Sequence, residues 1–385
     1  MQKYDYIFIG AGCAGLSLLT RMLAEGITEG KKILLIDRAP KNINDRTWCF
    51  WENTPGFFEP IVYKQWNRLW FHADEFSKQF DIAPYHYKMI RGIDFYNYCF
   101  KKIQQQPGID ILYGEISDLS FLEGSLHVKI DDQPYIFSNA IVFNSVGVEK
   151  SMRQPGKIHL LQHFKGWIIE TAKPCFKTGE ATLMDFRVPQ TNGTTFVYVL
   201  PLSPNKALVE YTLFSEKILA DEVYNIGLEH YLAQHLQLID YTVSEEEFGV
   251  IPMTNARFPW YANGMYHIGT AGGQTKASSG YTFAFIQTQS DAIIMHIKDG
   301  TLSPDIKPGA VSKRFDFYDA VLLQVLAGKY ATGSKVFTSL FKNNSPQSIF
   351  AFLDNKSALA ADLSLIRTLP AWPFLKAAYK QITGA

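Results

Sequence analysis

Two sets of residues in this 385-residue chain have types and spacing suited to chemistry. The first is Gly10-Ala11-Gly12-Cys13-Ala14-Gly15, a GxGxxG run, with Asp37 further on. Gly10 permits a tight turn, Gly12 lets the backbone approach a pyrophosphate, and Gly15 lets a helix pack closely on a sheet. The N–H groups of Ala11, Gly12 and Ala14 open the helix, whose N-terminus offers about half a positive charge to phosphates. An acid at Asp37, with Arg38 beside it, is placed to take a ribose diol. The second is Glu210. Period-two alternation predicts a hairpin over 196–202 and 207–214, which sets Leu208, Glu210, Thr212 and Phe214 on one face. A lone carboxyl in an apolar row gains proton affinity on burial. It can then act as a general acid and afterwards as a base.

The elements that must position these groups follow from the pattern. Residues 4–9 and 33–36 read as buried strands around a helix over 16–25, one βαβ unit ending at Asp37. Short strands are predicted at 109–113, 125–130, 134–137 and 140–143. Strands dominate 166–214, a helix spans 220–236, and strands return at 248–253 and 265–269. A Gly/Ser-rich loop over 269–280 precedes a helix over 281–298, and the tail is helical. The fold class expected is mixed α/β: a glutathione-reductase-like Rossmann domain interrupted by a sheet-rich domain, with a helical C-terminal region. The first is assigned to 1–75 with 90–165 and 248–300, the second to 166–247 and the third to 301–385. The late glycine-rich helix start is the return of the chain to a flavin, which favours FAD over NAD alone.

Composition narrows the partners. Lys plus Arg and Asp plus Glu each number 37, so the formal charge is zero, which argues against a nucleic-acid binder. Aromatic residues reach 14% while charged residues are only 19%, so apolar surface is in excess. No run reaches the ~20 apolar residues of a spanning helix. The four cysteines form no CxxC pair, and a reducing, cytoplasmic setting is expected. His159 and His163 lack a third ligand, so no metal is expected. Glu245-Glu246-Glu247 reads as a solvated strand edge.

Several stretches, in order, resemble the flavin-dependent lycopene cyclases, particularly the bacterial β-cyclases. They are Gly10–Gly15, Arg46-Thr47-Trp48-Cys49-Phe50-Trp51 and Leu183-Met184-Asp185-Phe186-Arg187, then Phe196 to Pro204 and Leu208-Val209-Glu210-Tyr211-Thr212, and last Ile251-Pro252-Met253-Thr254 and Ser278-Ser279-Gly280-Tyr281. Two positions depart from the family pattern. Tyr211 replaces the second acid after Glu210, which questions any two-carboxylate mechanism, and the late loop reads Lys276-Ala277.

The resemblance implies an isomerase, an intramolecular lyase that closes the ψ ends of an acyclic carotenoid into β-ionone rings, as in β-carotene. It implies reduced FAD, with NAD(P)H as reductant, and no net redox change. Glu210 would be catalytic. Gly280 and Tyr281 would join Gly10–Gly15 around the flavin. Lys276 either holds negative charge on the reduced ring or is a solvated loop lysine. Trp48, Phe50, Trp51, Phe196 and Tyr198 are candidates to line the substrate site, with Trp167, because ring faces stabilise cations. A carotenoid lives in the bilayer, so peripheral contact with the inner face of the membrane is expected, through 349–353 or 369–379. The rival readings are an FAD-dependent monooxygenase or polyprenyl reductase, and a carotenoid-binding flavoprotein without catalysis.

Overall fold

The computed structural model describes residues 2–147, 154–306 and 313–383. Tyr6–Ile9, Cys13–Ala24 and Ile33–Asp37 form the expected βαβ unit. Every residue of both strands is buried, as parallel strands that are apolar up to Asp37 require. They sit centrally in a six-stranded sheet. Ile33–Asp37 pairs with Ile109–Tyr113 on one side, and Tyr6–Ile9 pairs with Ile141–Asn144 on the other. Met265–His267 then pairs with Ile141–Asn144, so the chain returns to this sheet late. The helix Phe283–Lys298 follows and lies against Cys13–Ala24. Arg21 ties the two helices, with its Nε 2.5 Å from Asp291 Oδ1 and Nη1 2.8 Å from Gln287 Oε1.

A seven-stranded sheet forms the second layer system. Its strands come from Arg68–Ala73, Phe76–Asp81, His159–Glu170, Glu180–Asp185, Thr194–Ser203, Lys206–Ser215 and Thr242–Thr254. The sheet thus begins before residue 166, continues past 247 and recruits residues from the 1–75 segment. Its backbone pairing fixes these limits: His159 stands opposite Thr254 and Arg68 opposite Glu180.

Helices cover one face of this sheet and part of the other. On one, Tyr224, Leu228, Tyr231 and Leu232 of the helix Asp221–Gln234 pack on Val209, Tyr211 and Leu213. On the other, Phe337, Leu340 and Phe341 of the C-terminal helix Gly333–Asn343 pack on Phe71, Phe186 and Phe214. Much of the aromatic surplus is spent here, in contacts such as Phe71 on Phe341 at 4.6 Å between ring centroids. The expected hairpin is Thr194–Ser203 with Lys206–Ser215. The C-terminal helices cover only part of the second face. The rest opens into a cavity toward the Rossmann sheet, and the Glu210 side of the hairpin faces it.

Candidate active site

The glycine-rich turn has the geometry its sequence predicts. Gly10 has φ +99°, a conformation that favours glycine. A Cβ on Gly15 would stand 2.1 Å from Gly10 O, so only glycine lets this helix meet the turn. A Cβ on Gly12 would meet nothing within 4 Å, so the helix N-terminus opens onto free space. That cradle fits a pyrophosphate. Asp37 stands at its rim, accepting the Ala11 N–H at 2.6 Å and lying 2.9 Å from Lys41 Nζ, while Arg38 is exposed beside it. The late loop closes on the same place: a Cβ on Gly269 would fall 2.6 Å from Ala14 Cβ.

Next to the turn, where Ser145 Oγ donates to Gly10 O at 3.4 Å, a cavity of about 540 Å³ extends to the seven-stranded sheet. Ser145, Thr270, Gly280, Tyr281 and Phe283 line its Rossmann side, and Gln162, Phe164, Tyr198, Glu210 and Glu247 its sheet side. Arg46, Thr47, Trp48 and Cys49 form a third wall. The sheet side is set by register. Tyr198 pairs with Glu210, Glu210 with Gly166, and Gly166 with Glu247, so four adjacent strands present one row.

Glu210 Oε1 accepts a hydrogen bond from Thr212 Oγ1 at 2.8 Å. Burial, and next the negative charge of Glu247, hold its carboxyl well above the usual carboxylate range. Burial also raises Glu247, although the hydroxyl of Thr47, which donates to its Oε2 at 2.7 Å, favours the charged form. Around the pair stand Tyr87, Tyr198 and Tyr281, whose phenols burial pushes up and so keeps protonated. The site can therefore offer a proton from an acid enclosed by ring faces.

The sequence profile of the family described as "Lycopene cyclase protein" matches residues 5–379. The chain belongs to the lycopene cyclase family. A lycopene beta-cyclase of Pantoea ananas is 25% identical over 304 residues, 75% of this chain and 74% of that one. Among solved structures, a geranylgeranyl bacteriochlorophyll reductase-like protein of Thermoplasma acidophilum aligns over all of both chains, with TM-score 0.67 at 12% identity. A flavoprotein/dehydrogenase of Cytophaga hutchinsonii also aligns over all of both, with TM-score 0.62 at 14%.

The lycopene cyclase motifs converge unequally. Trp48, Tyr198, Glu210, Gly280 and Tyr281 meet at the cavity. Phe196 does not line it: it is fully buried and packs on Phe186 and Phe214. Phe50 stacks on Phe283 at 4.4 Å, and Trp51 stacks on Phe350 at 4.6 Å, so both also belong to cores. Trp167 lies on the opposite sheet face. Lys276 turns away from the cavity, with Nζ 2.8 Å from Asp319 Oδ1. The Met184-Asp185-Phe186-Arg187 motif is structural. Asp185 is buried, bound three times by Arg187 (by its backbone N–H and twice by its guanidinium) and once by Tyr231 OH at 2.8 Å, which pins the Asp221–Gln234 helix. His163 uses both ring nitrogens on Ser215 and Tyr224.

Glu247, Thr47, Gln162 and Phe164 are the site residues that sequence reasoning missed. The signal available was the alternation Glu247, Gly249, Ile251, which shares a face; Glu247 is not the solvated edge residue its two neighbours are.

Proposed function

We propose that the chain is a lycopene β-cyclase acting on an acyclic carotenoid. A lycopene end enters the cavity with its terminal C1=C2 double bond beside Glu210. The Glu210 carboxyl gives its proton to C2, leaving a tertiary cation at C1. The C5=C6 double bond attacks C1 and closes the ring, and a ring proton then leaves to the carboxylate. Atoms and electrons balance without an oxidant or reductant, so product and substrate have equal mass. The ring faces of Trp48 and Tyr198 stabilise the cation by on the order of 2 kcal/mol when desolvated. Gly10, Ala11, Gly12, Ala14 and Gly15 would hold the FAD pyrophosphate, Asp37 and Arg38 its ribose, and Gly280 and Tyr281 its ring end. Reduced FAD held there, with NAD(P)H as its reductant, would supply negative charge to favour the cation.

One observation carries this reading: Glu210 lines the cavity beside the glycine turns together with a second carboxyl, Glu247, and burial raises its proton affinity there. The test is anaerobic incubation with lycopene and reduced FAD, with products separated by chromatography. A cyclic product of unchanged mass supports it. An oxygenated product points to a monooxygenase, a hydrogenated one to a reductase, and unchanged lycopene to a carotenoid-binding flavoprotein. Each of the three overturns it.

Access to such a substrate calls for a membrane surface. No helix among the described residues is long and apolar enough to cross a membrane. The helix Ala371–Thr383 exposes Trp372, Leu375, Tyr379 and Ile382 in one stripe, with Lys376 and Lys380 beside it, which suits a headgroup interface. Ile349 and Phe350 are fully buried and take no part.

A further inference from the structure

The three consecutive acids 245–247 are not alike. Glu245 and Glu246 are exposed, and Glu246 lies 3.1 Å from Lys165 Nζ. Glu247 lines the cavity, and the reason is Gly166. The strand His159–Glu170 lies between the strands of the two glutamates, and Gly166 is the cross-strand partner of Glu210 on one side and of Glu247 on the other. A Cβ on Gly166 would stand 2.9 Å from Leu208 Cδ1 and 3.0 Å from Glu247 Cγ. With no side chain there, Glu247 folds over the strand toward Glu210.

Its two oxygens differ. Oε2 takes the Thr47 hydroxyl. Oε1 would lie 3.3 Å from that Cβ, is buried, and has no well-aligned donor. Glu210 in turn has its Oε1 bound by Thr212, leaving its other oxygen free to carry a proton. Two ionised carboxylates cannot both persist at such a site, because like charges in a low dielectric force one to neutralise.

We infer that Glu247 is the second carboxyl of this site, facing Glu210 across Gly166, and that the pair holds one proton between them. Glu247 is a positioning residue: ionised and fixed by Thr47, it keeps the proton on Glu210. It thereby supplies the acid that Tyr211 does not. Among the described residues, the other titratable or charged groups facing the pair are Asp45, Arg46 and Cys49 on the Thr47 side, Tyr87 and Tyr281 across the cavity, Tyr198 on the next strand, and Glu245 on the strand of Glu247 itself. Only Arg46 among them is cationic, and it is committed to Asp45 at 3.1 Å.

The inference rests on Glu210 as proton donor, so two readouts are needed. In the pH–rate profile, activity falls as pH rises through the pKa of Glu210. Removing the neighbouring charge lowers that pKa, so in Glu247→Gln the alkaline limb moves down by about one pH unit or more. Glu247→Asp restores it in part. Without substrate, infrared titration of the flavin-loaded protein follows the protonated carboxyl band. The Glu210 component survives to neutral pH in the wild type, titrates at lower pH in Glu247→Gln, and is missing from the neutral-pH difference spectrum of Glu210→Gln, while the Asp354 component near pH 6 is common to all three. A Glu247→Gln protein whose carboxyl band titrates like that of the wild type overturns the inference, and so does an unmoved alkaline limb. If the wild type does not cyclise lycopene, the band alone decides, and the two claims fail separately.

Discussion

Lys276 and Asp319 form an ion pair at 2.8 Å that solvent barely reaches, the two side chains being 1% and 10% exposed. Lys276 also donates to Asn355 Oδ1 at 2.6 Å, so the late glycine-rich loop is fastened to two parts of the helical tail at once. Removing one partner of a buried pair leaves the other charge uncompensated and costs about 3–5 kcal/mol. Lys276→Met should lose stability on that scale in urea unfolding. Asp319→Asn should lose a similar amount, and the double variant far less than the sum. A Lys276→Met protein as stable as the wild type would show that the pair holds nothing in place.

The second and third glycines of the turn, Gly12 and Gly15, should fail differently. A Cβ at Gly12 meets no protein atom within 4 Å, so Gly12→Val fills the open cradle, and the protein should fold and lose flavin. Gly15→Ala meets the Gly10 carbonyl at 2.1 Å, so folding itself suffers. Flavin absorbance per mole of protein, beside far-ultraviolet circular dichroism, separates the two. Equal flavin content in Gly12→Val and wild type would remove the cradle from the binding site.

What was legible in the sequence was what the chain writes locally. Gly10, Gly12, Gly15 and Asp37 belong to one short unit, and their placement follows from backbone geometry. Glu210 was legible because strand alternation placed it on a face with Leu208 and Phe214. Glu247 was not, because its meeting with Glu210 depends on which strand lies between them, and sheet order is a nonlocal property. The strand Thr47–Glu52 and the helix Gly92–Gln104 were missed for a related reason. Mixed aromatic and polar runs fit either period until a neighbouring layer decides which side is buried. Phe196 and Trp51 show the converse error: an aromatic suited to a cation is equally suited to a core, and only packing tells them apart.

Glu210→Gln keeps the shape of the carboxyl, can still accept from Thr212 Oγ1, and cannot release a proton. Flavin content should be unchanged while turnover falls by about 10²–10⁴-fold, the range of general acid catalysis. Single-turnover assay in deuterated water adds a second check, since the wild type should place deuterium on the new ring. Full activity in the glutamine variant would exclude Glu210 as the donor.

The exposed stripe on Ala371–Thr383 should govern access to substrate in vesicles. Trp372 is 76% exposed and Leu375 63%, so replacing both with serine removes little internal packing. Sedimentation with anionic vesicles should weaken, while flavin content and thermal stability hold. Cyclisation of lycopene dissolved in detergent should fall much less than cyclisation of lycopene in vesicles. Undiminished vesicle binding would place the membrane contact elsewhere.

Asp354 offers a stability test outside the cavity. It caps the C-terminal end of the helix Pro346–Leu353, where a negative charge opposes the helix dipole, and its side chain is 8% exposed. Burial pushes its carboxyl up to about 6 from 3.8. The folded state therefore binds this proton more tightly than the unfolded state does. The ionised form penalises folding above pH 6, and the penalty disappears as pH falls through 6 toward 4. Asp354→Asn removes it, and should raise stability at pH 8 by up to about 3 kcal/mol, the linkage value of such a shift. The gain should shrink to nothing by about pH 4. Urea unfolding of both proteins across this range gives the difference directly, and a gain independent of pH would exclude the Asp354 carboxyl as its source.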